Sequence, residues 1–343
     1  MDSILVRNEY RQLLNHITEL HKQLRGGVVL LGQPGIGKSL FLYYILLYRI
    51  FHSKPTAFES TPQGIFFFGE TFKRLDKIDP EGYPDAWALS DSNYKLMQPS
   101  ESFTQPYSRF FLVQATSPQP TRWQGWPKYR DAEMVTMDLW SWEEIYTGPT
   151  QFQTWYTPVH VEVLSHVFKN FSQSARRCYE LVRDCETVSK LEGSRGYKGF
   201  EGAIDLFIQN PPSPSILRRL VSANVNFSMR ESMVLQQSSD VIVITPSHTH
   251  ERYPHFTIPS RYICDRIFRG LRNEDARKFW DMGQIRSSAG WMWEGYVIQY
   301  LEEGTEELVL APLEPGQEQL RMKTPLGTAT ECYDFSNPVT GYY

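Results

Sequence analysis

The sequence predicts an α/β fold in which a parallel sheet carries crossover helices, and three observations support this prediction. Five apolar segments of strand length alternate with helical or turn-rich segments between residues 27 and 139. A glycine-rich loop joins the first of these segments to an apolar helix. The chain of 343 residues is 41% hydrophobic, which is enough to bury a core. Strands that alternate with helices need crossover connections, and these are typical of a parallel sheet.

The glycine-rich loop is the segment Gly32–Ser39, which fits the pattern G-x-x-x-x-G-K-S. A short apolar strand, Gly27–Leu31, precedes it, and an apolar helix, Leu40–Phe51, follows it. Glycines let such a backbone curl until several N–H groups point at one phosphate, and the helix N-terminus adds partial positive charge. The segment therefore predicts the phosphate-binding loop of a P-loop NTPase. Its predicted nucleotide-binding residues are Gly32, Pro34, Gly35, Ile36, Gly37, Lys38, Ser39 and Leu40.

Two side chains at the end of this loop predict magnesium chemistry. We expect Lys38 to reach the β- and γ-phosphates of ATP, and we expect the Ser39 hydroxyl to ligate Mg²⁺. Such a site needs an acid at the end of a neighbouring strand, which holds the ion through water. Asp91 directly follows the apolar strand Ala86–Ser90 and is the candidate for this role. Asp138, which follows a later strand, is the alternative.

The residue after Asp91 bears on whether the chain hydrolyses ATP. Many ATPases place a glutamate there to orient the attacking water, but this chain has Ser92. Hydrolysis is then slow, or the base comes from another element, for which Glu70 and Glu133 are candidates. The segment Asp76–Asp79 lacks the asparagine of a guanine-reading motif, so we expect adenine as the base.

Polar and basic residues beyond the loop are candidates for contacts with the γ-phosphate. Ser117 or Thr116 ends a buried strand and is predicted to sense this phosphate, with a turn or helix cap as the alternative role. Arg122 follows that strand, and Arg176 and Arg177 begin a helix in the second region. Arginines in such places stabilise charge on a transferred phosphoryl group. We assign Arg177 to catalysis and Arg176 to nucleotide binding, and the alternative is a pair of surface arginines.

The overall charge and hydropathy limit the classes of partner. The formal net charge is -4, so nucleic-acid binding would need a local basic patch. Candidates for such a patch are Arg261, Arg266, Arg269 and Arg272. The most apolar segment, Leu40–Phe51, has 12 residues and is too short to span a bilayer. The N-terminus shows no signal-peptide pattern. We expect an intracellular protein, cytoplasmic or nuclear, without a membrane partner; a homo-oligomer or a protein partner stays open.

Neither the cysteines nor the histidines predict a metal site. The four cysteines include no C-x-x-C pair, and Cys178 and Cys185 have a spacing that favours burial on one helix face. His248, His250 and His255 have no acid or cysteine at a fitting spacing, so we expect them to be solvated.

Several motifs in order resemble Crinkler-type proteins of fungi, which are related to the retrotransposon hot spot (RHS) proteins of trypanosomes. The segments that carry the resemblance are Gly32–Tyr44, Trp87–Asn93, Val113–Pro118, Met137–Ser141 and Ser174–Cys178. The resemblance implies an additional-strand (ASCE) NTPase of AAA/STAND-like type, with Asp91 as its Walker B acid. Many members of the family also carry a nuclease-like domain. Here no paired Asp and Glu-x-Lys core follows the segment Gly290–Glu294.

The predicted organisation has three parts. Residues 1–150 form the NTPase core with an N-terminal helix over 4–25, residues 151–235 form a helical lid, and residues 236–343 form a small α+β region. Within the lid, Ser189–Gly202 is predicted to be a glycine-rich break. We expect Mg²⁺-dependent ATP binding and hydrolysis that acts as a switch or motor for an effector-like region. The alternatives are a nucleic-acid-processing NTPase with a degenerate or truncated nuclease-like end, and a nucleotide switch that does not hydrolyse.

Overall fold

The computed structural model describes residues 5–83, 85–123, 125–151, 160–183, 185–211, 240–247, 252–270, 307–310 and 320–323. The chain forms two compact units, residues 1–288 and residues 289–343. Four of the predicted sites, namely His248, His250, Arg272 and Gly290–Glu294, lie outside the described residues.

A sheet of seven described strands lies at the centre of the first unit. The strands are β1 (Gly27–Leu31), β2 (Thr56–Glu59), β3 (Ile65–Phe68), β4 (Phe72–Leu75), β5 (Trp87–Asp91), β6 (Phe111–Ala115) and β7 (Glu133–Thr136). Their order across the sheet is β4-β3-β2-β5-β6-β1-β7. The strands β2, β5, β6, β1 and β7 run parallel, whereas β3 runs antiparallel to both of its neighbours, β2 and the edge strand β4. The five parallel strands therefore end at the same edge of the sheet.

Two strands of this sheet are absent from the sequence-based prediction. β2 lies within the segment Ser53–Gln63, which contains several turn-forming residues and only four strand residues. β4 lies in a charged segment, and three of its four residues are exposed because it forms the sheet edge. Neither strand has the long apolar run that identifies a buried parallel strand in a sequence.

The helices of the core surround this sheet. They are α1 (Asn8–Lys22), α2 (Lys38–Phe51), α3 (Glu101–Thr104), α4 (Trp126–Tyr129) and α5 (Trp142–Gln151). The apolar positions of α1 recur every three or four residues and are buried, so α1 packs on the core through one face. Large aromatic side chains fill the opposite face of the sheet, including Phe103, Phe110 and Trp123, which are fully buried. Burial of each such side chain stabilises the fold by about 2–3 kcal/mol.

A helical region follows, and a hairpin returns to the core. The helices are α6 (Val161–Asn170), α7 (Ala175–Val182), α8 (Val188–Gly193), α9 (Arg195–Gln209) and α10 (Arg261–Gly270), and the strands β8 (Val243–Pro246) and β9 (Pro254–Thr257) pair antiparallel. The predicted break over Ser189–Gly202 is wrong, because α8 and α9 occupy it. A Cβ added at Gly193, Gly199 or Gly202 would have no atom within 4 Å. Burial of Phe200, Ile204 and Phe207 stabilises α9.

The second unit contributes two described strands, β10 (Glu307–Leu310) and β11 (Leu320–Lys323), which pair antiparallel. Across the described residues of both units, the structure has no helix that is long and apolar enough to cross a membrane.

Candidate functional site

The parallel strands bring the predicted site residues together at their common edge. Leu30 of β1 pairs with Ala115 of β6, and Ala115 pairs with Asp91 of β5. The segment Gly32–Ser39, which we call the glycine loop, leaves β1 at this edge. The Ser39 hydroxyl donates a hydrogen bond of 3.1 Å to Asp91 Oδ1. The two side chains lie 52 positions apart in the sequence, so the sheet topology produces their contact.

The Ser39–Asp91 pair has the chemistry of a magnesium site. Burial raises the pKa of the Asp91 carboxyl, while the Ser39 hydroxyl and the charges of Lys38 and Arg122 lower it. A hydroxyl and a carboxylate are hard oxygen ligands, and Mg²⁺ commonly takes one or two such protein ligands and completes its shell with phosphate and water. The described residues contain no cluster of three or more His, Cys, Asp or Glu that would enclose a metal without such help.

Asp138, the alternative acid, has different contacts. Its Oδ1 accepts the backbone N–H of Leu139 at 2.8 Å, and its own N–H donates to Glu9 at 2.8 Å. Burial raises the pKa of this carboxyl. Asp138 follows β7, on the far side of β1 from β5. The geometry therefore favours Asp91 as the acid beside Ser39.

Lys38 is enclosed by the glycine loop from which it projects. Its Nζ donates hydrogen bonds of 2.7 Å to the Gly32 carbonyl and 2.8 Å to the Gln33 carbonyl. Burial lowers its pKa to about 7; Asp91 opposes this shift, and the charges of Arg176 and Arg122 add to it. An anion beside the amine would restore the charged form, because an opposite charge at short range raises the pKa of an amine.

The remaining carbonyls of the glycine loop are held from outside the loop. On one side, the Ser174 hydroxyl donates to the Pro34 carbonyl at 3.0 Å. The N–H of Arg176 donates to the Gly35 carbonyl at 3.5 Å, which is a long contact. Both donors come from the start of α7, so this helix lies directly against the loop.

On the other side, the loop is held by buried side chains. Arg7 and the Trp140 ring nitrogen donate to the Ile36 carbonyl at 3.1 Å and 2.7 Å, and the Tyr10 hydroxyl donates to the Gly37 carbonyl at 2.9 Å. Each carbonyl from position 32 to 37 thus accepts a hydrogen bond. A loop whose carbonyls are engaged in this way presents its N–H groups to a ligand, which suits an anion.

Two glycines permit the shape of this loop. Gly35 has a φ of 82° and Gly37 has a φ of 104°, a region that other residues rarely adopt. A Cβ at Gly35 would lie 2.5 Å from the Cβ of Arg176, and a Cβ at Gly37 would lie 2.3 Å from the Tyr10 hydroxyl. The two glycines are therefore needed for backbone conformation and for close packing.

The three candidate arginines have different surroundings. Arg122 lies close enough to Asp91 for their charges to interact, although burial lowers its pKa. Arg176 lies two positions after Ser174, which donates to the Pro34 carbonyl, and the charge of Arg176 lowers the pKa of Lys38. Arg177 forms an ion pair of 2.6 Å with Asp240, and both side chains are partly exposed. Of these three, Arg122 and Arg176 carry charges that act on Lys38, and Arg177 is engaged in its ion pair with Asp240.

Ser117 and Thr116 follow β6, between β1 and β5, at the same edge as the loop. The Thr116 N–H donates to the Leu30 carbonyl at 3.0 Å, and its hydroxyl donates to the Ser117 carbonyl at 3.2 Å. Beneath them, Gln114 donates to the Ser92 hydroxyl at 2.7 Å. Ser92 is 5% exposed, so its hydroxyl belongs to a buried network.

The two glutamates proposed as substitute bases lie at the wrong edge of the sheet. Glu70 follows β3, but β3 is antiparallel, and its last residue, Phe68, pairs with Thr56 at the start of β2. Glu133 is the first residue of β7 and pairs with Val28 near the start of β1. The prediction for Glu70 fails because β3 runs antiparallel to β2, and the prediction for Glu133 fails because this residue begins a parallel strand and does not follow one.

Two arginines of the candidate basic patch have acidic neighbours. Arg266 lies 3.0 Å from Glu201 and from Asp205, and Arg261 lies 3.8 Å from Asp265. These ion pairs reduce the local excess of positive charge, on which phosphate binding depends.

Sequence reasoning missed the buried side chains that hold the loop, namely Arg7, Tyr10 and Trp140. Arg7 also donates to the Leu139 carbonyl at 2.7 Å and forms an ion pair of 2.9 Å with Glu144. No local sequence motif predicts these contacts, because the partners of Arg7 lie up to 137 positions away in the sequence. The one available signal is the capping box of Ser141 and Glu144, whose reciprocal hydrogen bonds the structure confirms.

Comparison with known proteins gives partial similarities. No protein-family model matches the chain. Crinkler effector proteins 15 and 16 of Phytophthora infestans are each 28% identical to it over 152 residues, which is 42% of this chain and 24% of theirs. The matched region thus spans about a quarter of these relatives. Among solved structures, AMPPCP-bound DnaA from Aquifex aeolicus matches over 86% of this chain and 95% of the DnaA chain, with 12% sequence identity. The TM-score of this match is 0.33, which is too low to support an inference. The chain is a mixed α/β protein with partial sequence similarity to Crinkler effector proteins.

Proposed function

We propose that the chain is a P-loop NTPase that binds ATP together with Mg²⁺ and hydrolyses it to drive a conformational switch. The observation that carries this proposal is the contact of 3.1 Å between Ser39 and Asp91, across 52 positions of sequence, beside a G-x-x-x-x-G-K-S loop. A chance glycine-rich turn has no reason to meet an acid at the end of another strand. The topology supports an additional-strand class, because β6 lies between β1 and β5.

The chain offers a residue for each task of such a site. The glycine loop holds the phosphates through N–H groups, and Lys38 neutralises their charge. Ser39 and Asp91 hold Mg²⁺, which supplies electrostatic stabilisation of the reacting phosphoryl group when bound. Arg176 and Arg122 lie within electrostatic range of Lys38, and Ser117 lies at the same edge. Catalysis by Arg177 requires its ion pair with Asp240 to open first.

The start of α7 is the candidate link between nucleotide and conformation. We assign residues 1–150 to the core, 151–235 to a helical lid and 236–343 to a small α+β region. Ser174 and Arg176 of the lid touch the loop directly. Nucleotide in the loop would change these contacts and so reposition the lid. The similarity to proteins named Crinkler effectors supports a role of this switch within an effector.

The experiment measures ATP affinity and the rate of phosphate release for the wild type and for Lys38→Ala, with Lys22→Ala as a matched control. Lys22 is exposed, as is the Glu19 carboxylate that pairs with it, so its loss should change neither quantity. Loss of a charged hydrogen-bonding group should weaken ATP binding by about 100-fold. Removal of Mg²⁺ with EDTA should stop phosphate release by the wild type. Equal affinity and equal rates for Lys38→Ala and the wild type would refute the proposal, and stimulation by duplex DNA would favour the nucleic-acid alternative.

A switch that binds ATP without hydrolysing it is the second candidate. Ser92 occupies the position where a water-orienting glutamate is expected, and its hydroxyl is buried in a hydrogen bond with Gln114. Under this alternative the wild type binds ATP but releases no more phosphate than Lys38→Ala.

A further inference from the structure

The hairpin of β3 and β4 forms one edge of the main sheet, and its two faces have different surroundings. On one face, Ile65 and Phe67 are buried and pack in the hydrophobic core. On the other face lie Phe66 and Phe68 of β3, which are half-buried, and Phe72 of β4, which is 63% exposed. This second face of the hairpin is therefore apolar but uncovered.

The three phenylalanines form one continuous surface. Phe72 stacks on Phe66, with ring centroids 6.1 Å apart and an angle of 12° between the rings. The Phe72 ring also lies 5.2 Å from the Phe68 ring. The register agrees, because Phe72 pairs directly with Phe68, and paired residues of antiparallel strands point to the same face. A contiguous apolar surface that stays exposed is typical of an interaction site.

Helix α2 stands beside this surface and gives it a wall. The Tyr43 ring lies 5.2 Å from the Phe58 ring of β2, and Phe58 pairs with Phe66. The helix therefore lies on the same face of the sheet as the three phenylalanines. Leu47 and Ile50 follow Tyr43 at helical spacing, so these three side chains share one side of α2. All three are exposed, and Leu47 is 56% exposed.

The dimensions of this surface suit a single helix. We call it the phenylalanine groove, and it has an aromatic floor and a wall on α2, formed by Phe66, Phe68, Phe72, Tyr43, Leu47 and Ile50. The floor is two strands wide, which is about 10 Å, and an α-helix with its side chains is about 10–12 Å across. A single strand paired with the free edge of β4 would leave Phe66 and Phe68 uncovered.

A positive charge lies at one end of the groove. Arg74 pairs with Phe66, so it shares the groove face, and it is exposed. Its guanidinium donates to the Gln63 carbonyl at 2.8 Å and has no ion pair within the described part of the chain. Glu70 lies in the turn beyond Phe68, at the opposite end of the hairpin. An acidic side chain on the occupant could therefore meet Arg74 without displacing another acid.

A second copy of the chain fits this charge poorly. A two-fold contact brings the same surface from both copies together. If the strands of the two copies ran in the same direction, each Arg74 would face the other. If they ran in opposite directions, Arg74 could meet Glu70, but α2 of each copy would then lie where the sheet of the other copy has to be.

We propose that the phenylalanine groove binds an amphipathic helix of a partner protein. The apolar side chains of this helix cover the three phenylalanines, and an acidic side chain at one end pairs with Arg74. The helix lies beside α2, against Tyr43. The proposal does not depend on nucleotide binding, because β2, β5 and β6 separate the hairpin from β1 and the glycine loop.

The test uses a synthetic peptide of about 18 residues, which is long enough to form a helix. Leucines recur at every third or fourth position, and glutamates and alanines fill the remaining positions. A second peptide has lysine in place of each glutamate, and a third has prolines in its centre, which break the helix. Fluorescence anisotropy of the labelled peptides gives the affinity of the full chain for each one.

Two variants of the groove have matched controls on the other face of the sheet. Phe72→Gln removes the most exposed ring of the floor, and Arg74→Glu reverses the charge at its end. Tyr129→Gln and Lys128→Glu are the controls, because both side chains are exposed on α4, whose Trp126 packs in the core of the opposite face. Thermal unfolding of each variant checks that it is folded.

The wild type should bind the glutamate peptide with a Kd in the micromolar range and the lysine peptide more weakly. Phe72→Gln should weaken binding by about 10-fold, a loss typical of an aromatic anchor. Arg74→Glu should weaken the glutamate peptide and strengthen the lysine peptide, each by about threefold, as expected of an exposed ion pair. Both controls should match the wild type. If Phe72→Gln unfolds, Leu47→Gln replaces it with the same expectation.

Several results would overturn the proposal. One is a wild type that does not bind the glutamate peptide at about 1 mM. Another is equal affinity for the proline peptide, which would indicate an extended occupant. Unchanged affinity in Phe72→Gln would place the peptide elsewhere. Sedimentation velocity without peptide completes the test, because a dimer that dissociates in Phe72→Gln would identify a second copy as the occupant.

Discussion

The glycine loop has two flanks of different construction. On the first flank, Arg7 and Tyr10 of the N-terminal region and Trp140 after β7 hold the loop; the Arg7 side chain is 1% exposed and makes contacts with several backbone carbonyls. On the second flank, only Ser174 is buried against the loop, and Arg176 and Arg177 at the start of α7 are exposed. We call these the fixed flank and the α7 flank.

Under the proposed function, the difference separates two tasks that one loop must combine. A loop that binds phosphate must keep its N–H groups in place before the ligand arrives, because ordering it at that moment would cost affinity. A switch must also have a contact that changes when the ligand arrives. The fixed flank serves the first task through buried contacts. The α7 flank suits the second, because its exposed side chains can rearrange at small cost.

The largest expected effect is the loss of Arg7. Arg7→Met removes the guanidinium from a buried network, so Glu144 loses its ion pair and the Leu139 carbonyl loses the Arg7 donor, although Ser141 and Trp140 still donate to Glu144 and to the Ile36 carbonyl. Loss of one partner in such a network should lower the free energy of unfolding by about 3 kcal/mol. Urea denaturation measures this change. A loss below about 1 kcal/mol, the range of a surface pair, would show that the fixed flank is no firmer than the α7 flank.

The next effect is that of a side chain at Gly37. Gly37→Ala should lower the free energy of unfolding by about 2–3 kcal/mol, because a left-handed φ and a clash with the Tyr10 hydroxyl add together. Gly37→Ala in a Tyr10→Phe background is the matched control, since it keeps the positive φ and removes the hydroxyl that the added Cβ would meet. If the contact with the fixed flank matters, Gly37→Ala should lower the free energy of unfolding by less in that background than in the wild type. Equal losses would mean that backbone strain alone accounts for the effect.

A smaller effect is expected from Tyr10→Phe. The change deletes only the hydroxyl that donates to the Gly37 carbonyl. Loss of one such hydrogen bond should lower the free energy of unfolding by about 1 kcal/mol. If hydrogen exchange at the loop amides does not increase in this variant, Tyr10 does not restrain the loop.

The smallest effect is expected on the α7 flank. Arg177→Met breaks an exposed ion pair with Asp240, so the free energy of unfolding should fall by less than about 1 kcal/mol. The difference from the wild type should vanish in about 1 M salt, because screening removes exposed ion pairs. A difference that persists at high salt would show that Arg177 stabilises the fold by packing.

These flanks also show what the sequence could predict. The glycine loop, the strand before it and the helix after it each depend on neighbours within a few residues, and each is found where the sequence predicts it. Asp91 could be predicted because an acid at the end of a buried strand is a local sequence pattern. The antiparallel direction of β3 could not be predicted from the sequence. The direction of this strand depends on the turn before it and on pairing with β2, a strand of only four residues. The fixed flank joins segments that lie apart in the sequence, by 27 positions between Tyr10 and Gly37 and by 104 positions between Trp140 and Ile36.

A further distant contact, between Arg252 and Glu9, can form only late in the synthesis of the chain. Arg252 donates to both carboxylate oxygens of Glu9 on α1, at 2.7 and 3.0 Å, and its carbonyl accepts the N–H of Thr136 at the end of β7. It thereby ties the helix that carries Tyr10 to the edge of the sheet. A nascent chain can complete the sheet and the glycine loop once β7 has emerged from the ribosome. The loop gains its full support only after a further stretch of more than 100 residues has followed, so the support of the glycine loop is completed late.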